Sequence, residues 1–148
     1  MRYLLDASAL LPLMTKFGRQ LIAEASKQEI ATTDLAVYEA CNSLWKLSTL
    51  LKVISLEDAV ETATLLRDLI GRTVIQAKPF YMLRLAETLK LANEEELTFY
   101  DASYILAAKD LKAMLVTEDE ELRQSACKHI QALSFAELER SLCKFSKI

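Results

Sequence analysis

Met1-Arg2-Tyr3-Leu4-Leu5-Asp6-Ala7-Ser8-Ala9-Leu10 opens the chain, and its reading decides the fold. A short apolar strand, 2–5, ends on an acid, and a helical pattern starts at Ala7. That pattern is broken near Gly18 and resumes to about residue 28. The same alternation continues downstream. Residues 29–33 read as a second strand and 35–53 as a long helix. Ser55, with Asp58 three residues later, is a capping-box start for a helix over 56–71. Residues 73–77 alternate like a strand that Pro79 stops, and 81–93 are helical. Thr98 with Asp101 caps a helix to 112, 113–117 form a strand, and 129–133 form the last. Ser134 with Glu137 caps a final helix to about 144. Strands alternating with helices predict βαβ units and a parallel sheet. The expected class is α/β: a three-layer α/β/α sandwich with a central five-stranded parallel sheet, in one domain over residues 1–148.

A chain of 148 residues is the size of one ordinary domain and buries a real core. Its apolar share of 52% is high. Two features would explain that excess, a sheet buried on both faces and a homo-oligomer interface. No apolar run reaches the roughly 18 residues of a membrane span, so no membrane association is expected. Met1 runs straight into a strand with no basic-then-apolar leader, so a mature start and a cytoplasmic location are expected. Cys41, Cys127 and Cys143 are odd in number and far apart, which argues against a zinc site or a disulfide framework.

Four acids stand where elements begin: Asp6, Glu39, Asp101 and Asp119. In an open parallel sheet, ligands bind beyond the carboxyl ends of the strands, and Asp6 and Asp119 fall there. If the fold gathers all four, their mutual repulsion resists joint ionisation unless a cation neutralises them. Oxygen-only ligands select a hard divalent ion, Mg2+ or Mn2+. Each acid also has a plainer job. Asp6 fits a helix N-cap, and Asp101 fits the capping box with Thr98. The run Glu118-Asp119-Glu120-Glu121 suits a helix N-terminus, with Thr117 and Glu120 as another capping box. Glu39 starts a polar stripe with Asn42, Ser43 and Lys46, either a solvated face or a site-facing one with Lys46 near phosphate. Asp101 neighbours Tyr104, Ile105 and Ala108 on an apolar face, and a buried carboxylate needs a partner.

His129 is the one histidine. It lies far in sequence from the acids and reads as structural, so the nucleophile would be activated by metal. There is no glycine-rich phosphate loop, serine elbow or dinucleotide fingerprint. The net charge of −3 argues weakly against nucleic acid. Without the four acids the remainder carries +1, so an RNA substrate stays open.

These residues resemble the PIN domain family. The resemblance rests on Leu4-Leu5-Asp6-Ala7-Ser8, on Glu39, on Thr98-Phe99-Tyr100-Asp101-Ala102-Ser103-Tyr104 and on Leu115-Val116-Thr117-Glu118-Asp119, in order over nearly the whole chain. It implies the α/β/α sandwich and a ribonuclease site holding one or two Mg2+ or Mn2+ ions. By position, Asp6, Glu39, Asp101 and Asp119 match the family's acids, as catalytic residues and metal ligands. Ser8 and Thr117 match its supporting hydroxyls. Single-domain members of this size resemble the toxin halves of VapBC-type toxin–antitoxin pairs. The partners implied are RNA, a second copy in a homodimer, and an antitoxin protein. In-line attack by water would leave a 5′-phosphate and a 3′-hydroxyl. The rival is a PIN-fold scaffold that binds without cutting. A receiver domain wants paired acids after strand one, where this chain has Ala7 and Ser8. An aspartyl-phosphate phosphatase wants a second Asp where Ser8 stands.

The apolar side chains of the 35–53 helix, Tyr38, Leu44, Trp45, Leu47, Leu50, Leu51 and Val53, spread wider than the roughly 100° stripe of one core contact. The next helix adds Leu65, Leu66, Leu69 and Ile70. An exposed apolar patch is therefore expected, covered by a second copy or by a partner.

Overall fold

Five strands, all parallel, form the sheet in the computed structural model, which describes residues 1–24 and 27–145. They are β1 (Arg2–Leu5), β2 (Glu29–Thr33), β3 (Ile75–Lys78), β4 (Met114–Val116) and β5 (Ala132–Leu133), in the order β3-β2-β1-β4-β5. The helices are α1 (Ala7–Phe17), α2 (Leu21–Glu24), α3 (Asp34–Trp45), α4 (Leu56–Gly71), α5 (Leu85–Glu95), α6 (Phe99–Leu111), α7 (Glu120–Ala126) and α8 (Phe135–Phe145). The α/β sandwich expected from the alternation is the architecture observed.

The winding direction places the site. From β1 the chain steps outward to β2 and β3, then returns to lay β4 and β5 on the other side of β1. Right-handed crossovers then put the two outward connections on one face and the later ones on the opposite face. Contacts follow that division: α1 packs with α3 and α4, and α5 packs with α6, while α8, which follows the last strand, packs back on α1. Strand order reverses between β1 and β4. At such a switch point the two following connections part to opposite faces and leave a crevice.

A sheet covered on both faces needs strands that are apolar throughout. Tyr3, Leu4, Leu5, Ile30, Ala31, Ile75, Leu115 and Val116 are each at most 1% exposed. Helix α6 is as deeply set, with Ala102 through Ala108 all buried. The apolar excess in composition goes largely here. No helix among the described residues is long and apolar enough to cross a membrane.

Beyond shifts of one or two residues at element ends, four boundaries have a visible cause. β3 begins at Ile75 because Thr73 takes a left-handed φ of 57°, and the N–H groups of Thr73 and Val74 close off α4 on the carbonyls of Ile70 and Leu69. α5 begins at Leu85 because Phe80–Met82 form a 3₁₀ turn, fixed where the Phe80 N–H reaches Asp34 Oδ2 at 3.0 Å. The helix expected over 35–53 changes register, α3 passing at Lys46 into a π-helical turn, Lys46–Leu50. β5 shortens to two residues, since the N–H groups of His129 and Ile130 both turn back to Ala126 O at 2.9 Å.

Leu4 is wholly buried in the central strand. Leu4→Ala should lower stability by about 2–5 kcal/mol, the cost of a buried leucine cavity. Urea unfolding should show a lower midpoint with an unchanged slope.

Candidate active site

Asp6 leaves the end of β1 at the switch point, and its carboxylate organises the crevice. It is 5% exposed. It caps α1, accepting from Ala9 N at 3.1 Å. Ser8 Oγ donates to Oδ1 at 2.6 Å, and the Thr117 hydroxyl donates to Oδ2. Each hydroxyl in turn accepts from the loop after β4. Glu118 N donates to Ser8 Oγ at 2.8 Å and Asp119 N to Thr117 Oγ1 at 3.1 Å. Two successive amides are thus relayed through two hydroxyls onto the two oxygens of one carboxylate. The Asp6 N–H also reaches Val116 O at 3.2 Å, which ties the two sides of the switch point together.

The capping box expected from Thr117 and Glu120 does not form. Asp119 caps α7 instead, its Oδ1 accepting from Leu122 N at 3.0 Å, while the Thr117 hydroxyl donates to Asp6 and accepts from Asp119 N. Arg123 holds the same corner from α7, with Nη1 2.9 Å from the Thr117 carbonyl. The rest of the acidic run divides into separate jobs. Glu118 Oε1 accepts from Phe135 N at 2.6 Å, at the start of α8, and Glu120 meets Gln124 on its own helix.

Asp101 lies in the first turn of α6, and its N–H donates to Thr98 Oγ1 at 3.1 Å. Glu39, on α3, accepts a hydrogen bond from Tyr104 OH at 3.0 Å. Tyr104 is 2% exposed, and its phenol is driven far upward by burial and by the Glu39 charge. It therefore stays protonated and acts as a fixed donor that aims the Glu39 carboxylate. The sequence showed Tyr104 only as part of an apolar face. The one available signal was its spacing, a buried hydroxyl three residues past a candidate acid on the same helical face.

Electrostatics joins the acids that the elements position. Burial raises the Asp6 pKa above the usual carboxylate value, against the hydrogen bonds from Ser8, Thr117 and the backbone. Burial also raises Glu39, and the charges of Asp6 and Asp101 raise it further, while Tyr104 opposes them. Asp101 is raised by burial first and then by Asp119 and Glu121, against hydrogen bonding from Thr98. Asp6, Glu39, Asp101 and Asp119 are therefore linked in one chain of mutual repulsion. Glu121, read in sequence only as a helix-terminal acid, adds its charge to the same site.

A hard divalent cation fits this donor set chemically. Every donor is a carboxylate. Burial holds Asp6, Glu39 and Asp101 above their ordinary pKa and neighbouring charges raise Glu39 and Asp101 further, a cost that a cation would remove. Asp6 accepts three hydrogen bonds and keeps about one of its roughly four lone-pair positions. Among the described residues, no three carboxylate, imidazole or thiol groups already stand at metal-holding spacing. His129 stands apart from the acids. Its Nε2 is 2.8 Å from Glu95, in a turn rather than the strand expected for it.

A profile of the PIN domain matches residues 3–128. The chain is 37% identical to Exonuclease VapC9 of Pyrobaculum aerophilum over 120 residues, covering 81% of this chain and 82% of that protein. It is 32% identical to Ribonuclease VapC3 of the same organism over 127 residues, covering 84% and 94%. Among solved structures, PAE2754 from Pyrobaculum aerophilum superposes with a TM-score of 0.74 at 31% identity, over 97% of this chain and 99% of that one.

Repulsion among the acids makes a signed pH prediction. A carboxyl whose folded pKa is raised costs nothing below its unfolded value, near 4, and weakens the fold as pH rises through the folded value. Asp101→Asn removes one such group. In EDTA, its melting temperature relative to the parent should be unchanged near pH 3.5 and should climb as pH rises to 7. Thermal melts across that range test it, and a variant that melts lower at pH 7 would make Asp101 a structural cap.

Proposed function

This chain belongs to the PIN domain family, and from that premise we propose that it is a divalent-metal-dependent ribonuclease that cuts within RNA strands. What supports the reading is the coupling of carboxylates with Asp6 at the end of β1: burial raises Asp6, Glu39 and Asp101, the charges of Asp6 and Asp101 raise Glu39 further, and that of Asp119 raises Asp101. A structural role alone gives no reason to collect like charges there. The name of one relative, Ribonuclease VapC3, supports RNA as the substrate. The name Exonuclease VapC9 raises the mode of cutting. The internal mode is favoured because Asp119 is exposed on one flank and a cleft leads away on the other, so a strand can pass across the acids.

Asp6, Asp101 and Asp119 would hold one or two Mg2+ or Mn2+ ions, which supply charge for the phosphate oxygens and a lowered pKa for water. Glu39, aimed by Tyr104, completes the ion's shell or orients the attacking water. Ser8 and Thr117 keep the Asp6 oxygens in place. Water attacks phosphorus in line, the bond from phosphorus to the 3′-oxygen breaks, and the products carry a 5′-phosphate and a 3′-hydroxyl.

We extend the proposal to biological role: the toxin half of a VapBC-type pair, acting as a homodimer in the cytoplasm and restrained by an antitoxin. Its support is the VapC name of the curated relatives together with an apolar surface. Trp45, Leu50, Leu51, Val53, Leu56 and Val60 are each 49–68% exposed, at the end of α3, at the end of the π turn, in the loop after it and on the start of α4. The patch differs in part from the expected one. Leu44, Leu66 and Leu69 are buried and contribute nothing, while Leu56 and Val60 join it. A patch of this kind marks an interaction surface, and a two-fold pair is the commonest way to cover it.

Asp101→Asn should lower kcat by about a hundredfold or more, the scale of losing a group that stabilises charge in the transition state. Cleavage of a circular RNA by the parent, abolished by EDTA and restored by Mn2+, tests metal dependence and internal cutting together. Activity that persists in EDTA, or that spares circles while degrading linear RNA, would overturn the corresponding half.

Sedimentation at micromolar concentration should give twice the chain mass, and Leu51→Glu should shift it to one. A parent that sediments as a monomer would remove the dimer and leave the nuclease standing.

A further inference from the structure

We propose that the cleft between α1 and α3 binds a nucleotide of single-stranded RNA beside the scissile phosphate, with Lys46 contacting that nucleotide's phosphate. The inference rests on the ribonuclease reading and adds to it a place for the flanking strand. The cleft is about 490 Å³, within the range of about 300–1,000 Å³ for small-ligand sites. That suits one nucleotide and is far too small for a paired duplex. It opens from the catalytic centre itself, because Ser8 and Glu39 line one end.

Its floor is the polar stripe of α3. Glu39, Asn42, Ser43 and Lys46 all line it, at the spacings of three, four and seven residues that share one helical face. Seven residues are two turns, about 10.5 Å of helix rise, so Lys46 leaves the helix about two turns past Glu39. A phosphate at the centre would be held by the ions that the carboxylates gather. The next phosphate along the strand has no such ions and meets only Lys46. Leu11 and Pro12 form the opposite wall, an apolar surface against which a ribose or base can lie. Asn42 and Ser43 offer donors and acceptors between the two charges.

Two further observations bear on Lys46. Among the described residues no carboxylate pairs with it, whereas Lys16, Lys78 and Lys128 are each held by an acid. Lys46 is also the first residue of the π turn, where its carbonyl accepts from Leu51 N at 2.9 Å and Ser48 Oγ donates to Leu44 O at 2.9 Å. Turns of this kind are rare and concentrate at functional sites. Here the change of register ends the polar stripe on its lysine, and the residues that follow carry the exposed apolar surface instead.

The test measures binding of a fluorescein-labelled 12-nucleotide single-stranded RNA by anisotropy, from 50 to 200 mM KCl with Mg2+ present. It uses the cleavage-poor Asp101→Asn chain with and without Lys46→Ala. Losing one phosphate contact on a single strand should reduce the slope of log K against log salt by about 0.7. Lys90→Ala, an equal change of charge in the depression between α5 and α6, should leave the slope alone. In the otherwise unaltered chain, Lys46→Ala should raise KM severalfold while kcat holds. Lys46→Gln repeats both measurements with the side-chain length kept. Equal slopes and equal KM, in a chain that still cuts RNA, would overturn the lane alone. A parent that neither binds nor cuts RNA would remove the ribonuclease reading and the lane with it.

Discussion

One buried carboxylate holds the site end of this molecule together. Asp6 sits where two halves of a sheet wind in opposite directions, and a charge in that position is costly unless its lone pairs are met. They are met by Ser8 and Thr117, whose hydroxyls also collect the N–H groups of Glu118 and Asp119. The relay solves two problems at once. It keeps a charged group inside the protein, and it fixes the loop after β4 against the end of β1, so that Asp119 is presented at a set distance from Asp6. A hydroxyl accepts and donates through a single oxygen, which is why Ser and Thr suit these two positions and Ala does not.

Much of this was legible because strand ends in a parallel sheet are marked by chemistry. Apolar runs ending on Asp6 and Thr117 located the crevice, and the acids were visible as residue types out of place on apolar elements. Boundaries set by local backbone geometry were not. Thr73 takes a left-handed conformation without being glycine or asparagine, so nothing in its type announced the delay of β3. The π turn at Lys46 contains neither glycine nor proline and looks like continued helix. The competition between capping and the site was also hidden. Thr117 followed by Glu120 is a sound capping box, and only the position of Asp6 across the sheet explains why the hydroxyl is used elsewhere. The role of the Tyr104 hydroxyl was hidden for a related reason. Its ring belongs to the core while its oxygen belongs to the site, and a pattern of apolar positions records only the ring.

The arrangement trades stability for chemistry. Asp6, Glu39 and Asp101 are all held above their ordinary pKa, so at neutral pH the fold works against them. Elsewhere the sign is reversed. Hydrogen bonds from Lys128 and His129 hold Glu95 low, and those from Ser134 do the same for Glu137. Glu95 and Glu137 thus gain from folding while Asp6, Glu39 and Asp101 lose.

Helix α6 is what lets the protein keep such a site in register. Its first turn carries Asp101, its second carries the Tyr104 that aims Glu39, and its middle is buried along seven consecutive residues. Its far end is clamped as well. Asp110 receives Lys78 Nζ at 3.0 Å and Arg84 Nη2 at 2.6 Å, and Lys78 is almost fully buried at the end of β3. A buried ammonium left without its carboxylate is strongly unfavourable, so the pair fixes position more than it adds stability. With one end anchored through Asp110 and the middle locked in the core, α6 cannot slide without breaking either contact. The repulsion that Asp101 meets from Asp119 and Glu121 is then borne by a rigid element.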